Sequence, residues 1–152
     1  MPALRLRSGQ ALVAADASVL VAAVVSWHER HRAAAGALEN ALARKTLVLP
    51  STALLDAYAI LTRLPAQHRL AHADAFHLLR SSFATARVAG PRTRDAWSML
   101  RRWSVAPIGG SDAYDAQLVE IAKEAGAKTL LTFRRNELEK LAVPGIEIVE
   151  PV

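Results

Sequence analysis

The chain has 152 residues, enough for one domain with a sizeable core. A hydrophobic content of 52% argues against disorder, no apolar run approaches a membrane span, and the absence of cysteine excludes disulfides and thiolate-held zinc. The net charge of +5 and a pI near 10.2 point to an acidic partner, with nucleic acid first in line.

Met1 to Ala11 carries Arg5 and Arg7, but the apolar run after it contains Asp16 and has no clear small-residue cleavage site, so it does not read as a secretory signal. Repeats, low-complexity tracts and interdomain linkers are absent from the sequence, and residues 1–152 read as a single domain. A cysteine-free chain without a signal fits the reducing cytoplasm.

Leu12 to Ala15 reads as a short strand, and Val19 to Val25 as the next apolar element. After Trp27-His28-Glu29-Arg30-His31, an Ala-rich helix runs from Arg32 to Ala43, with Leu38 and Leu42 as an apolar i, i+4 pair. Thr46 to Leu49 is a second strand, stopped by Pro50. Ser51 or Thr52 can cap the helix that follows. That helix directs Leu54, Leu55, Tyr58 and Leu61 toward a core, places Asp56 and Arg63 on another face, and ends at Pro65. Leu70 to Phe83 forms a helix and Thr85 to Val88 a brief strand. Pro91 to Trp103 is helical, with Ala96, Met99, Leu100 and Trp103 as its apolar side. Gly109-Gly110-Ser111 turns into a helix that Ser111 or Asp112 can cap, and Gly126 ends it. Lys128 to Thr132 is a strand, Arg135 to Leu141 a short helix, and Ile146 to Val149 the last strand. This alternation predicts βαβ units and an α/β fold of three layers: a central parallel sheet flanked by helices, with its site at the carboxyl ends of the strands.

Acidic residues recur at those ends. Asp16 follows the first strand, Asp56 lies in the helix after the second, Asp115 in the first turn after Gly109-Gly110, and Glu137 five residues beyond Thr132. Each also has a plain structural explanation. Asp16 and Asp112 can cap helices, and Asp56 and Asp115 can favour helix N-termini. Asp56 can also pair with Arg63, and Glu137 can lie on a solvated face beside Arg134, Arg135, Glu139 and Lys140. Parallel-sheet geometry, however, brings Asp16, Asp56, Asp115 and Glu137 to one rim. Hard oxygen donors without Cys, and without a closely spaced His pair, suit Mg²⁺ or Mn²⁺. Such a site activates water and screens a phosphodiester's charge, and a cation lets converging carboxylates coexist.

Among the basic residues, Arg63 can hold Asp56 or touch the substrate, and the orienting role is the one favoured. Arg134 and Arg135 can meet RNA phosphates at the rim or pair with Glu137 and Glu139. Arg92, Arg94, Arg101 and Arg102 read as a solvated face. His28 and His31 are expected at the surface or lip, and Trp27, Trp97 and Trp103 in core or interface. The Ala/Leu-rich helices between Leu54 and Leu79 have a second reading as a groove for a partner.

Ala15-Asp16-Ala17-Ser18-Val19-Leu20, Leu61-Thr62-Arg63-Leu64-Pro65, and Tyr114-Asp115-Ala116 with Leu130-Leu131-Thr132-Phe133 resemble the PIN-domain ribonucleases. More narrowly, the chain resembles the VapC toxins of bacterial type II toxin–antitoxin systems over Val13 to Pro151, nearly its whole length. The resemblance implies a PIN-like fold and a metal-dependent endoribonuclease that hydrolyses single-stranded or looped RNA with metal-activated water. A cognate antitoxin would inhibit it, and a homodimer is expected. Asp16 would be the central Mg²⁺ or Mn²⁺ ligand, with Ser18 as a hydroxyl supporting metal or phosphate. Asp115 matches the third acid. Asp56 stands where the family usually has Glu and is one methylene shorter, so its metal contact would run through water. The family's last motif often reads Thr-x-Asn-x-x-Asp-Phe; here Glu137 preserves an acid as a fourth catalytic and metal residue, while Arg134 replaces Asn. Those departures motivate a rival reading, a PIN-like module that binds RNA or an antitoxin without cleaving. A receiver or phosphatase domain also gathers acids at strand ends, but the sequence has no receiver-like phosphoacceptor Asp and no Gly-rich phosphate loop.

Overall fold

The computed structural model describes residues 10–141 and 143–152; Arg5 and Arg7 lie outside the described residues. Strands β1 (Leu12–Ala15), β2 (Leu47–Pro50), β3 (Arg87–Ala89), β4 (Ala127–Leu131) and β5 (Glu147–Val149) form one sheet in the order β3-β2-β1-β4-β5. Every neighbouring pair is parallel. Around it lie α1 (Ala17–Val24), α2 (His31–Ala43), α3 (Ser51–Thr62), α4 (His72–Phe83), α5 (Ala96–Val105), α6 (Ser111–Glu124) and α7 (Arg135–Glu139). The predicted α/β architecture with a central parallel sheet is the one found. Among the described residues, no helix is long and apolar enough to cross a membrane.

A parallel sheet covered on both faces needs strands that are apolar throughout. β2 (Leu-Val-Leu-Pro) is buried at all four positions, and Ala14 and Ala15 of the central β1 are fully buried. The edges are short and bear charge, Arg87 on β3 and Glu147 on β5, which discourages further strand pairing. α1 packs on α2, α3 and α4, while α6 packs across β2 and β4. Leu20, Leu38, Leu49, Leu61, Leu130 and Leu138 are fully buried where these layers meet.

Several expectations are corrected. α3 buries Ala53, Ala57 and Leu61, a strict i, i+4, i+8 stripe. Leu55 sits about 200° around the helix from Ala53 and is therefore exposed. Ser51 and Thr52 are the first residues of α3 rather than its cap, as Ser111 and Asp112 are of α6. The position before α6 is Gly110, whose φ of +59° suits glycine and strains other residues. The predicted helix from Pro91 divides into a 3₁₀ turn, Thr93–Asp95, and α5, on which Ala96 and Leu100 are exposed and only Trp103 is buried. Trp27 and Trp97 are exposed.

Candidate active site

β1 ends at Ala15, and the chain turns at once into α1. Asp16 is the N-cap of that helix: its Oδ1 accepts from Val19 N at 3.2 Å and from Ser18 Oγ at 2.6 Å. The capping role read for Asp16 is thus present. Oδ2 faces the neighbouring strand and accepts from Thr132 Oγ1 at 2.6 Å. Thr132 lies one residue past β4, is fully buried, and also accepts from Arg134 N at 2.8 Å. Phe133 N donates to Ser18 Oγ at 3.0 Å. These bonds tie the β1–α1 turn to the β4–α7 turn and leave the Asp16 carboxylate little freedom. Burial pushes the Asp16 carboxyl above its ordinary pKa, against hydrogen bonds from Ser18, Thr132 and Val19 and the charge of Arg134.

Asp115 is the fifth residue of α6, just past its expected first turn, and is buried. Arg134 grips it with a bidentate fork, Nη1 to Oδ1 and Nη2 to Oδ2, both at 2.9 Å. That hydrogen bonding, reinforced by the charges of Asp115, Asp16 and Glu137, holds Arg134 firmly in its cationic form.

An open cleft of about 560 Å³ gathers Asp16, Ser18, Asp56, Arg63, Asp115 and Arg134. Asp56 and Arg63 are both exposed there. They make no ion pair with each other or with any other group among the described residues, so the expected orienting role of Arg63 is not found. Asp56 lies in α3 and Arg63 is the capping residue just past its end, seven positions on, and both line the cleft. Glu137 and Arg135 are not part of this lining. Glu137 is exposed in the first turn of α7, and Arg135 turns back to Glu139 at 2.7 Å. Arg134 takes neither Glu137 nor Glu139, the acids considered for it, but the more distant Asp115.

Sequence reasoning missed Thr132 as a site residue. Its signal was present, a hydroxyl placed directly after a Leu-Leu strand at the carboxyl edge of the sheet. The exposed Tyr114 and Leu55, which flank the cleft, were also not singled out for it.

The cleft's donors are all oxygen, the carboxylates of Asp16, Asp56 and Asp115 with the Ser18 hydroxyl, and this chemistry suits a hard divalent cation. Among the described residues, no three His, Cys, Asp or Glu side chains approach closely enough to share one ion, and Arg134 covers both oxygens of Asp115.

The chain matches the PIN domain family over residues 13–143. Ribonuclease VapC40 of Mycobacterium tuberculosis is 33% identical over 123 residues, which is 78% of this chain and 84% of that protein. In structure the fold is similar to M. tuberculosis VapC20, a sarcin-ricin loop cleaving toxin, with a TM-score of 0.62 at 14% identity, covering 84% of this chain and 94% of that one. It is also similar to DNA-bound VapBC from Salmonella typhimurium, with a TM-score of 0.63 at 16% identity, covering 93% and 98% of the two chains. At these identities the structural likeness speaks for the fold alone.

Proposed function

The chain belongs to the PIN-domain family, among its VapC-type ribonucleases, and on that footing we propose that it is a metal-dependent endoribonuclease, the toxin of a type II toxin–antitoxin pair acting in the cytoplasm. The observation that carries this reading is the cleft itself, where Asp16, Asp56 and Asp115 open onto the same space as Arg63.

Asp16 and Asp115 would hold Mg²⁺ or Mn²⁺ and Asp56 would reach it through water, with Glu137 as an outlying acid whose charge acts on Arg134. A cation bound there supplies charge neutralisation at the phosphodiester and an acidified water. The protein contributes the rest. Ser18, Val19 and Thr132 hold the Asp16 carboxylate in one orientation, as catalysis requires of its first contacts. Arg63, free of any carboxylate partner among the described residues, would bind a backbone phosphate, while Arg135, outside the cleft lining and paired with Glu139, has the lesser part in RNA binding. Tyr114 offers an exposed ring beside the cleft on which an unpaired base can stack. The antitoxin partner and a homodimer belong to the same proposal. The exposed Leu55 on α3 and Phe76 on α4 support a docking surface on those helices.

The test is cleavage of total cellular RNA by the purified chain with Mn²⁺, with Mg²⁺ and with EDTA, wild type beside Asp115→Asn. Discrete, metal-dependent fragments that the variant does not produce are expected. Cleavage that survives both EDTA and the substitution overturns the mechanism.

The Arg134–Asp115 ion pair favours a second reading, a module that binds RNA or antitoxin without cleaving. Intact RNA binding with no metal-stimulated cleavage would select it.

A further inference from the structure

The Arg134–Asp115 pair is built differently from the ion pairs around it. Asp115 is 8% exposed, and both of its oxygens are taken up by one guanidinium at 2.9 Å. The neighbouring charges are already matched: Arg135 holds Glu139 at 2.7 Å and Lys140 holds Asp112 at 3.1 Å. Arg134 is therefore not shared among the acids of α7. It is the only cation on a cleft carboxylate among the described residues.

A buried carboxylate without a cation is costly, so Asp115 needs a partner whether or not a metal is present. The Arg134 backbone is fixed by the bond from its N to Thr132 Oγ1 at 2.8 Å, while its side chain is 46% exposed. The guanidinium can thus leave into water without moving the turn that carries it. Its fork occupies both oxygens, so a divalent cation that ligates Asp115 directly must displace at least one of the two guanidinium bonds.

We propose that Arg134 is a built-in counter-cation that latches Asp115 and competes with the divalent cation for it. In the latched state Asp115 is neutralised from within the chain. Metal binding displaces the guanidinium, which then faces the cleft as a free cation able to take a substrate phosphate. The latch weakens metal binding and couples it to the release of a phosphate-binding group. This inference rests on the metal-dependent reading of the cleft.

The test is direct binding of Mn²⁺ to the full chain by isothermal titration calorimetry, without RNA. Wild type, Arg134→Asn, Arg134→Lys, Asp115→Asn and the double variant Arg134→Asn/Asp115→Asn are compared. Arg134→Asn is expected to bind Mn²⁺ about tenfold or more tightly than wild type, a difference of about 1.4 kcal/mol. Arg134→Lys, a point charge without the fork, should fall between them. In the Asp115→Asn background the Arg134 substitution should make no difference. Equal Mn²⁺ affinity in wild type and Arg134→Asn overturns the latch and leaves the metal reading intact. Absence of Mn²⁺ binding in every variant overturns the metal reading, and the latch with it.

Discussion

Thr132 Oγ1 donates a 2.6 Å hydrogen bond to Asp16 Oδ2 across 116 positions of sequence. The contact follows from register. Ala15 pairs with Leu131 in parallel strands, so the next residue of each strand emerges beside the other at the carboxyl edge. A buried donor thereby meets a buried acceptor, and Thr132 accepts from Arg134 N in the same position.

Replacing Thr132 by Val keeps the shape and removes both roles. Asp16 Oδ2 then loses its only protein donor, and Arg134 N loses its acceptor. Unfolding in denaturant should show a loss of about 1–3 kcal/mol. RNA cleavage should fall on the order of tenfold as the Asp16 carboxylate loses its orientation. Thr132→Ser, which restores the hydroxyl, should recover most of both. Wild-type stability and activity in the Val variant would remove Thr132 from the site.

Asp16 carries a stability cost that the proposed metal-binding role would explain. Its carboxyl is raised above an ordinary value near 3.8, chiefly by burial, so the folded chain holds this proton more tightly than the unfolded chain does. Its contribution favours the fold below that value and is lost as pH rises through the raised one. Asp16→Asn removes the ionisation and keeps a good helix cap. At neutral pH the variant should melt above wild type, by about 2–4 °C per kcal/mol relieved, while cleavage is abolished. The gap in melting temperature should close as the pH is lowered below the ordinary carboxylate range. A variant less stable than wild type at neutral pH would contradict this assignment.

The two acids at the margins of the site should separate by kinetics. Asp56 lines the cleft and has no protein partner among the described residues, whereas Glu137 lies outside the lining. On the proposed reading Asp56 would reach the cation through water as an outer ligand, and Asp56→Asn should then cost about 10–100-fold in cleavage or Mn²⁺ affinity. Glu137→Gln should cost clearly less, since its charge reaches the site only through Arg134. A reversed order would give Glu137, rather than Asp56, the larger part in the site.

Packing in β4 and α3 gives a contrast between a strand of the sheet and a helix beside it. Leu130 is fully buried in β4, and Leu130→Ala should destabilise the fold by about 2–5 kcal/mol. Leu55 is 66% exposed, and Leu55→Ala should change stability by no more than about 0.5 kcal/mol. A large loss at Leu55 would mean that α3 is rotated from the orientation described.

The sequence by itself determined the elements and their order, because the signals involved are local. Pro50 halts a strand that lacks a further donor, Gly126 ends α6 with φ of +94°, and uninterrupted apolar runs such as Leu47-Val48-Leu49 mark strands buried on both faces. Those rules also put Asp16, Asp56 and Asp115 at the carboxyl edge of the sheet. Which face of α3 is buried, and whom each charge meets, was decided only in three dimensions. Leu55 and Leu61 are equally apolar in sequence, yet helix packing exposes one and buries the other. Arg134 has Glu137 within one helical turn, yet it bonds Asp115, 19 positions away. A partner at that distance depends on how α6 lies against the β4–α7 turn, a matter of tertiary packing and burial that no local propensity encodes.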